Sequence, residues 1–412
     1  VSKDSNELNP FIRHGPNTAS PGWRDASACR RDSVASEDRQ MSTSDGRLLD
    51  ILRLNLIPGV GPRTHQILLE HFGSAENILS AKIIELQQLP GIGPKVAKAI
   101  SSARSAVDAE SELQACREAG IQLIARDSDD YPRPLLEIPD PPAILYCKGT
   151  VREQDELAIG MVGSRRCTVY GRQQAERLAG ALARAGVTIV SGLARGIDAV
   201  AHRAALAANG RTFAVTASGL NNIYPPEHAE LAQQVSESGA MLCESKLQQR
   251  PASGLFPQRN RIISGLSIAI IVVEAARNSG ALHTARHAME QGREVMAVPG
   301  RVDSLASEGC HDLIRDGVTL IRNVDDVMES LGPLVNPVKS DDKGEIHSLR
   351  ELSLNERERE VLNLITNDPQ HIDEVLRATD IEPSRVLATL TVLEMKRMIR
   401  RLPGSMLIRA TN

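Results

Sequence analysis

Arg165 and Arg166 directly follow a Gly-Ser pair, Gly163 and Ser164, and two more arginines, Arg259 and Arg261, flank Asn260. A guanidinium presents a rigid fork of donors that fits phosphate or carboxylate oxygens, and a Gly-Ser turn lets backbone N–H groups approach the same oxygens. Ser279 and Gly280 stand with Thr284 at the start of a helical pattern, where unpaired backbone N–H groups attract anions. The stretch SGLARG adds Gly192, Arg195 and Gly196. These residue types define anion holding repeated along the chain, and the stretch Phe256 to Thr284 with GSRR is expected to line one nucleic-acid groove.

The residues that an acid–base mechanism would use are His202, His283, Asp198 and Glu274. Each has a plainer role. Asp198 is placed to cap the helix that follows it. His202, one turn further along, satisfies a hydrogen bond, and Glu274 is expected to hold Arg259 or Arg261. Cys310 and His311 are adjacent and would project in different directions from a helix, which argues against a Cys–His nucleophile. GSRRCTVYG is neither G-x-G-x-x-G nor G-x-x-x-x-G-K-[ST], and no acidic ribose ligand follows at the usual place, so dinucleotide or ATP binding is poorly supported. No cofactor and no metal are expected.

These residues sit at the ends of apolar runs. ELAIGMVG, VTIVSGLA, RTFAVTAS, GAMLCES, SIAIIVVEA, REVMAVPG and GVTLI read as strands, with helical patterns such as GRQQAERLAGALARAG between them. Runs of this kind are buried on both faces, so an α/β, doubly wound, Rossmann-like parallel sheet is predicted, with its site beyond the carboxyl ends of the strands.

Five segments follow from the composition shifts: a disordered tail over 1–46, a helical domain over 47–118, the extended Rossmann-like domain over 120–332, a linker over 333–350 and a winged helix over 351–412. The chain opens on Val, and Met41 precedes the first periodic segment, which points to Met41 as the natural start. In the helical domain, NLIPGVGPRTHQIL is echoed by QLPGIGPKVAKAI, each copy setting P-G-h-G-P between two helical patterns near Arg63, Lys95 and Lys98. This is similar to tandem helix-hairpin-helix (SAM-like) motifs, which either grip nucleic-acid backbones or serve as packing modules. Pro132, Pro134, Pro139, Pro141 and Pro142 forbid a regular helix in the approach to the central domain. At the carboxyl end, NEREREVLNLI, HIDEVLRATD and EPSRVLATLTVLEMKR give three helices before a Pro-Gly hairpin, the pattern of a winged helix suited to protein contact or weak DNA contact.

Composition limits the partners. The formal net charge is -4 and aromatics make up 2% of the residues. The first argues against coating duplex DNA by bulk charge but leaves room for a local basic groove, and the second argues against a platform of several stacking aromatics. The cysteines show no CxxC pair and no metal spacing, which fits a reducing, cytoplasmic setting. No apolar run approaches the ~20 residues of a membrane span.

In order, GSRRCTVYG, VSGLARGIDAVAH, GLNNIYPPEH, FPQRNRIISGLS, VVEAARNSGALHTARHAMEQGREVMAVPG and LIRDGV resemble the bacterial DNA processing protein A family (DprA, also called Smf) across nearly the whole central domain. The resemblance implies a non-catalytic protein that binds single-stranded DNA cooperatively and protects incoming DNA during natural transformation. It further implies loading of the recombinase RecA onto that DNA and a homodimer formed through the Rossmann domain. DNA contacts are implied at Gly163, Ser164, Arg165, Gly192, Arg195, Gly196, Arg259, Asn260, Arg261, Ser279 and Gly280, with Arg166 and Thr284 beside them. Three places depart from the family pattern: Cys310 and His311 replace a T-N pair, His283 takes an apolar slot, and Ala217-Ser218-Gly219 replaces Gly-Cys-Gly. A histidine at the groove implies DNA binding that strengthens as pH falls through about 6.5. The alternative is a nucleotide-processing enzyme of the lysine-decarboxylase-like phosphoribohydrolase type. That type carries a P-G-G-x-G-T-x-x-E loop, where this chain has VPGRVDSLASEG.

Overall fold

The computed structural model describes residues 45–332, 356–366, 369–379, 381–395, 398–402, 404 and 406–409. The stretch 1–44 and the linker at 333–350 lie outside the described residues, and a helix over 45–55 begins inside the span assigned to the tail.

The apolar runs of the central domain form one sheet of nine strands. They are β1 (Gln122–Ala125), β2 (Ile144–Gly149), β3 (Ala158–Val162), β4 (Thr188–Ser191), β5 (Thr212–Val215), β6 (Ala240–Cys243), β7 (Ala269–Val272), β8 (Glu294–Ala297) and β9 (Thr319–Leu320), in the order β1-β2-β6-β5-β4-β3-β7-β8-β9. β3 to β9 are the seven runs read from the sequence, and they pair in parallel. The expectation of a parallel sheet needs one correction: β1 pairs antiparallel with β2, and β2 antiparallel with β6. The approach segment therefore extends the sheet and does not merely pack on it. Within that segment one helical turn forms, Arg133–Leu136, because Pro134 sits in the first turn, where its missing N–H costs nothing.

Alternation along each strand feeds two cores, as a period of two requires. Ala269, Ile271 and Val273 face one side with Met161 and Ile189, while Ile270 and Val272 face the other with Val162 and Phe213. The first side is covered by α1 (Val169–Arg184) and α2 (Ile197–Ala207), whose Ala175, Ala179, Ala183, Ala201 and Ala205 are buried there. Beside β6 lies α3 (Ala229–Ser238). The second side is covered by α4 (Leu255–Gly265), α5 (Ala281–Glu290) and α6 (Glu308–Arg315), and α7 (Val324–Leu331) returns to the first.

In the helical domain the two P-G-h-G-P copies make matching turns. Gly59 and Gly91 hold φ of 92° and 80°, values that favour glycine, and Gly61 and Gly93 cap helices that open on Pro62 and Pro94. Arg63, Lys95 and Lys98 are exposed. The domain shares its core with the β1–β2–β6 edge, Leu52, Ile57 and Ile100 belonging to one cluster with Tyr146 and Met241. At the carboxyl end, helices Glu356–Asn363, Ile372–Arg377 and Pro383–Met395 pack with a three-stranded sheet, the hairpin Ile399–Leu402 and Met406–Arg409 plus the two-residue strand Gln370–His371. No helix among the described residues is long and apolar enough to cross a membrane.

Two buried histidines make stability depend on pH. His65 is buried with both ring nitrogens unpartnered, and burial, aided by Arg126, holds it down at about 4. His202 is buried between Thr212 Oγ1 and the Leu193 N–H, and burial pulls it down to about 3. The folded chain keeps both neutral while the unfolded chain takes up protons near 6.5. Stability is therefore complete above that value and is lost as pH falls through it, down to about 4 for His65 and about 3 for His202. At pH 5 the expected loss is roughly 2 kcal/mol for each. Urea denaturation at pH 7.5 and pH 5 checks it: His65→Leu should flatten the dependence, and an unchanged pH profile would refute the assignment.

Candidate nucleic-acid interface

Strand order reverses between β3 and β7. The chain runs outward from β3 through β4 and β5 to β6, then returns to lay β7 against the other side of β3. Loops leaving neighbouring strands in opposite directions open a crevice at their carboxyl ends. A groove of about 450 Å³ lies there, lined by the loop after β3, by Ala194 and Asp198, by α4 and by the segment from Ala276 to Thr284.

The loop after β3 carries Gly163, Ser164, Arg165 and Arg166 into α1. Its near end is fixed by the Ser164 N–H, which donates to the Glu274 carbonyl at 2.7 Å. Its far end is fixed by the Glu274 carboxylate, which accepts from the Thr168 N–H at 3.0 Å and from the Thr168 hydroxyl. Thr168 in turn caps α1, its Oγ1 accepting from the Gly171 N–H at 3.1 Å. A Cβ on Gly171 would lie 2.6 Å from Glu274 Oε2, so the helix approaches the carboxylate only because that residue is glycine. Glu274 therefore does not hold Arg259 or Arg261, as the sequence had suggested. β7 lies directly beside β3, and a side chain at the end of β7 reaches the loop leaving β3 before it reaches α4. Between these two fixed ends Arg165 and Arg166 are exposed, with no carboxylate in ion-pair range among the described residues, and the Arg165 guanidinium sits 5.1 Å from the centre of the Phe256 ring.

Arg259 enters the same groove from α4 but is buried. Its guanidinium passes Gly192, where a Cβ would stand 1.7 Å from Nη1, and Nη1 donates to the Val215 carbonyl at 2.6 Å. Asp198 faces it, and the Arg259 Nε keeps no partner. Burial lowers Arg259 to about 10, which leaves it protonated at neutral pH. Burial pushes the Asp198 carboxyl up, while Arg259 and the backbone donors oppose that rise. Those donors are the N–H groups of Gly192 at 3.1 Å and Ala194 at 3.3 Å. Asp198 thus does not cap its helix: Gly196 is the N-cap, and Asp198 reaches back to shape the SGLARG loop.

Arg261 is the clear departure from the expected groove. It is buried against Glu244, both carboxylate oxygens accepting from Nη2 at 2.6 Å, and against Asp140. The RNR cluster lies within α4, not before a strand, and residues two apart on a helix face different ways. Arg259 therefore turns to the groove and Arg261 to the proline-rich approach segment.

Asn260, Ser279, Gly280 and Thr284 all line the groove. Asn260 Nδ2 donates to the Gly280 carbonyl at 3.4 Å, Ser279 Oγ accepts from the Ala281 N–H at 3.3 Å, and Thr284 is buried. His283 is exposed on the same wall, with Nδ1 3.4 Å from Arg286 Nη1. Gly192, Arg195 and Gly196 do not line it. Gly196, at φ 76°, is where the two loops touch, since a Cβ there would meet the Ser164 carbonyl at 2.1 Å. Arg195 is exposed and pairs with Glu227 at 2.5 Å. Residue chemistry alone missed the part of Phe256, which stacks under Arg165 and meets Tyr224 edge-on with ring centroids 5.9 Å apart. The available signal was two aromatics beside prolines, FP and YPP, in a chain so poor in them.

A Rossmann-like domain with a cationic groove at its switch point, flanked by a helix-hairpin-helix unit and a winged helix, defines a class of DNA-handling proteins. Residues 122–332 match the family described as DNA recombination-mediator protein A, residues 348–405 the DprA winged helix domain, and residues 51–104 the SAM-like helix-hairpin-helix tandem. The chain belongs to the DNA recombination-mediator protein A (DprA/Smf) family. It is 39% identical to Protein Smf of Synechocystis over 282 residues, 68% of this chain and 71% of that protein. It is 44% identical to DNA processing protein DprA of Bacillus subtilis over 220 residues, 53% of this chain and 74% of the relative. Among solved structures, DNA processing protein A from Streptococcus pneumoniae aligns with a TM-score of 0.60 at 31% identity, covering 68% of this chain and 95% of that one.

Proposed function

We propose that the protein binds single-stranded DNA in the groove between β3 and β7, protects it, and loads RecA recombinase onto it during DNA uptake. In this reading it acts in the cytoplasm as a homodimer formed through the Rossmann-like domain and does no chemistry on the strand. The observation that carries the reading is the charge of the groove: Arg165, Arg166 and Arg259 converge on it, against the single carboxylate of Asp198. Backbone phosphates meet the exposed Arg165 and Arg166, the Gly163–Ser164 turn and the start of α5 at Ser279 and Gly280. Asn260 and Thr284 shape that wall, and Arg259 supplies a fixed positive charge beneath. Gly192 and Gly196 act by letting the loops close on one another.

Two carboxylates that an enzyme would need are already committed. Glu274 is taken up by Thr168, and Asp198 by two backbone N–H groups, which favours binding over the phosphoribohydrolase alternative. In the winged helix, Arg385 pairs with Glu382 and Arg401 with Glu394, while Leu387 and Val392 are exposed on helix Pro383–Met395.

The test is a gel-shift titration of single- and double-stranded DNA across salt. Arg165→Ala is expected to weaken single-strand binding and lower the slope of log K against log salt by about 0.7. Binding and slope equal to the parent's would remove the groove assignment.

A further inference from the structure

Arg195 stands apart from the groove residues because its charge is already answered. Its Nε meets Glu227 Oε1 at 2.5 Å, and both side chains keep about half their surface in solvent, 52% and 51%. Glu227 lies on the loop that carries Tyr224, beside which Arg195 also lies. Tyr224 in turn meets Phe256, the ring under Arg165. Arg165 and Arg195 are thus joined through two aromatic rings, Arg165 without a carboxylate partner and Arg195 with one.

We propose that Arg195 forms a second phosphate subsite at the rim of the groove, and that Glu227 occupies it as an internal phosphate mimic until the strand displaces it. A carboxylate and a phosphate present similar oxygens to a guanidinium, so one replaces the other without rebuilding the loop. Displacement is cheap because an ion pair this exposed is held only weakly. It is also selective: a strand gripped at Arg165 delivers its next phosphates along the aromatic pair at high local concentration, whereas a free anion must compete with Glu227 from bulk solution. Glu227 therefore works as a latch that sets the affinity and salt dependence of the rim. The inference rests on the groove reading and extends it to a residue outside the groove.

The experiment measures single-stranded oligonucleotide binding across salt for the full chain and for Arg195→Ala, Glu227→Gln, the double variant and Arg165→Ala. Both rim side chains are half exposed, so these substitutions leave the fold intact. The latch requires Glu227→Gln to bind about three- to tenfold more tightly at low salt, with a steeper salt slope, because the parent must first break an ion pair that salt itself weakens. Arg195→Ala must weaken binding, and in that background Glu227→Gln must leave the slope unchanged. If Arg165→Ala weakens binding while Glu227→Gln matches the parent in affinity and slope, the latch is wrong and the groove stands. A steeper slope for Glu227→Gln that persists without Arg195 also overturns it, because the carboxylate would then act on the strand and not on Arg195. If Arg165→Ala binds like the parent, both readings fall together.

Discussion

Arg259→Ala is expected to cost about 1–3 kcal/mol of stability, the usual penalty for a buried polar group left without its partner. The loss has identifiable parts: Asp198 stays buried without its countercharge, and the Val215 carbonyl loses its donor. The space in front of Gly192, which the guanidinium fills, is emptied as well. Single-strand binding should fall by more than tenfold in the same variant, because the groove loses its buried cation and the SGLARG loop loses its support. Denaturant titration and binding measured side by side check both. The double variant Arg259→Met/Asp198→Asn separates them: it should recover part of the stability, since no charge is then left unpaired, without recovering binding. An Arg259→Ala variant that unfolds at the parent's denaturant midpoint would show that the pair is not coupled as the geometry implies.

The second large effect is expected at Glu274, a residue that does not line the groove. Glu274→Ala removes the acceptor for the N–H and hydroxyl of Thr168 and should cost about 1–3 kcal/mol, the usual penalty for buried donors left unsatisfied. Only one of the two tethers of the Arg165–Arg166 loop then remains, the backbone bond from Ser164 to residue 274. DNA affinity should therefore drop several-fold through loss of preorganisation. Glu274→Gln keeps the shape and one acceptor oxygen, and should fall between Ala and the parent in both measurements. A nucleotide hydrolysis activity in the parent that vanishes in Glu274→Gln while stability and DNA binding are retained would instead favour the enzyme alternative.

Arg259 and Arg261 also show how far residue types alone reach. Both are arginines in one short motif, and nothing in composition or spacing separates a groove cation from a structural ion pair. The separation comes from the helix: two positions apart they face opposite surroundings, one toward Asp198 and the other toward Glu244 and Asp140. Glu274 is similar. Its position at the end of an apolar run was legible, but its partner was set by which strand lies next to β7. The antiparallel edge formed by β1 and β2 was hidden for a related reason, because short extended pieces between prolines carry no signal of pairing direction.

The amino-acid sequence by itself determined the seven parallel strands and their helices, through apolar runs buried on both faces, and the two matching turns of the helical domain, through glycines at positive φ. It also determined that arginines and Gly-Ser turns lie at strand ends, since those residues are local neighbours of the runs they terminate. Only the tertiary structure decided which of those ends meet. Gly163 to Arg166 and Ser279 to Thr284 are more than a hundred positions apart, and they face each other because the chain reverses its strand order between β3 and β7. That reversal is a property of long-range strand pairing, which a residue's type and near neighbours do not encode.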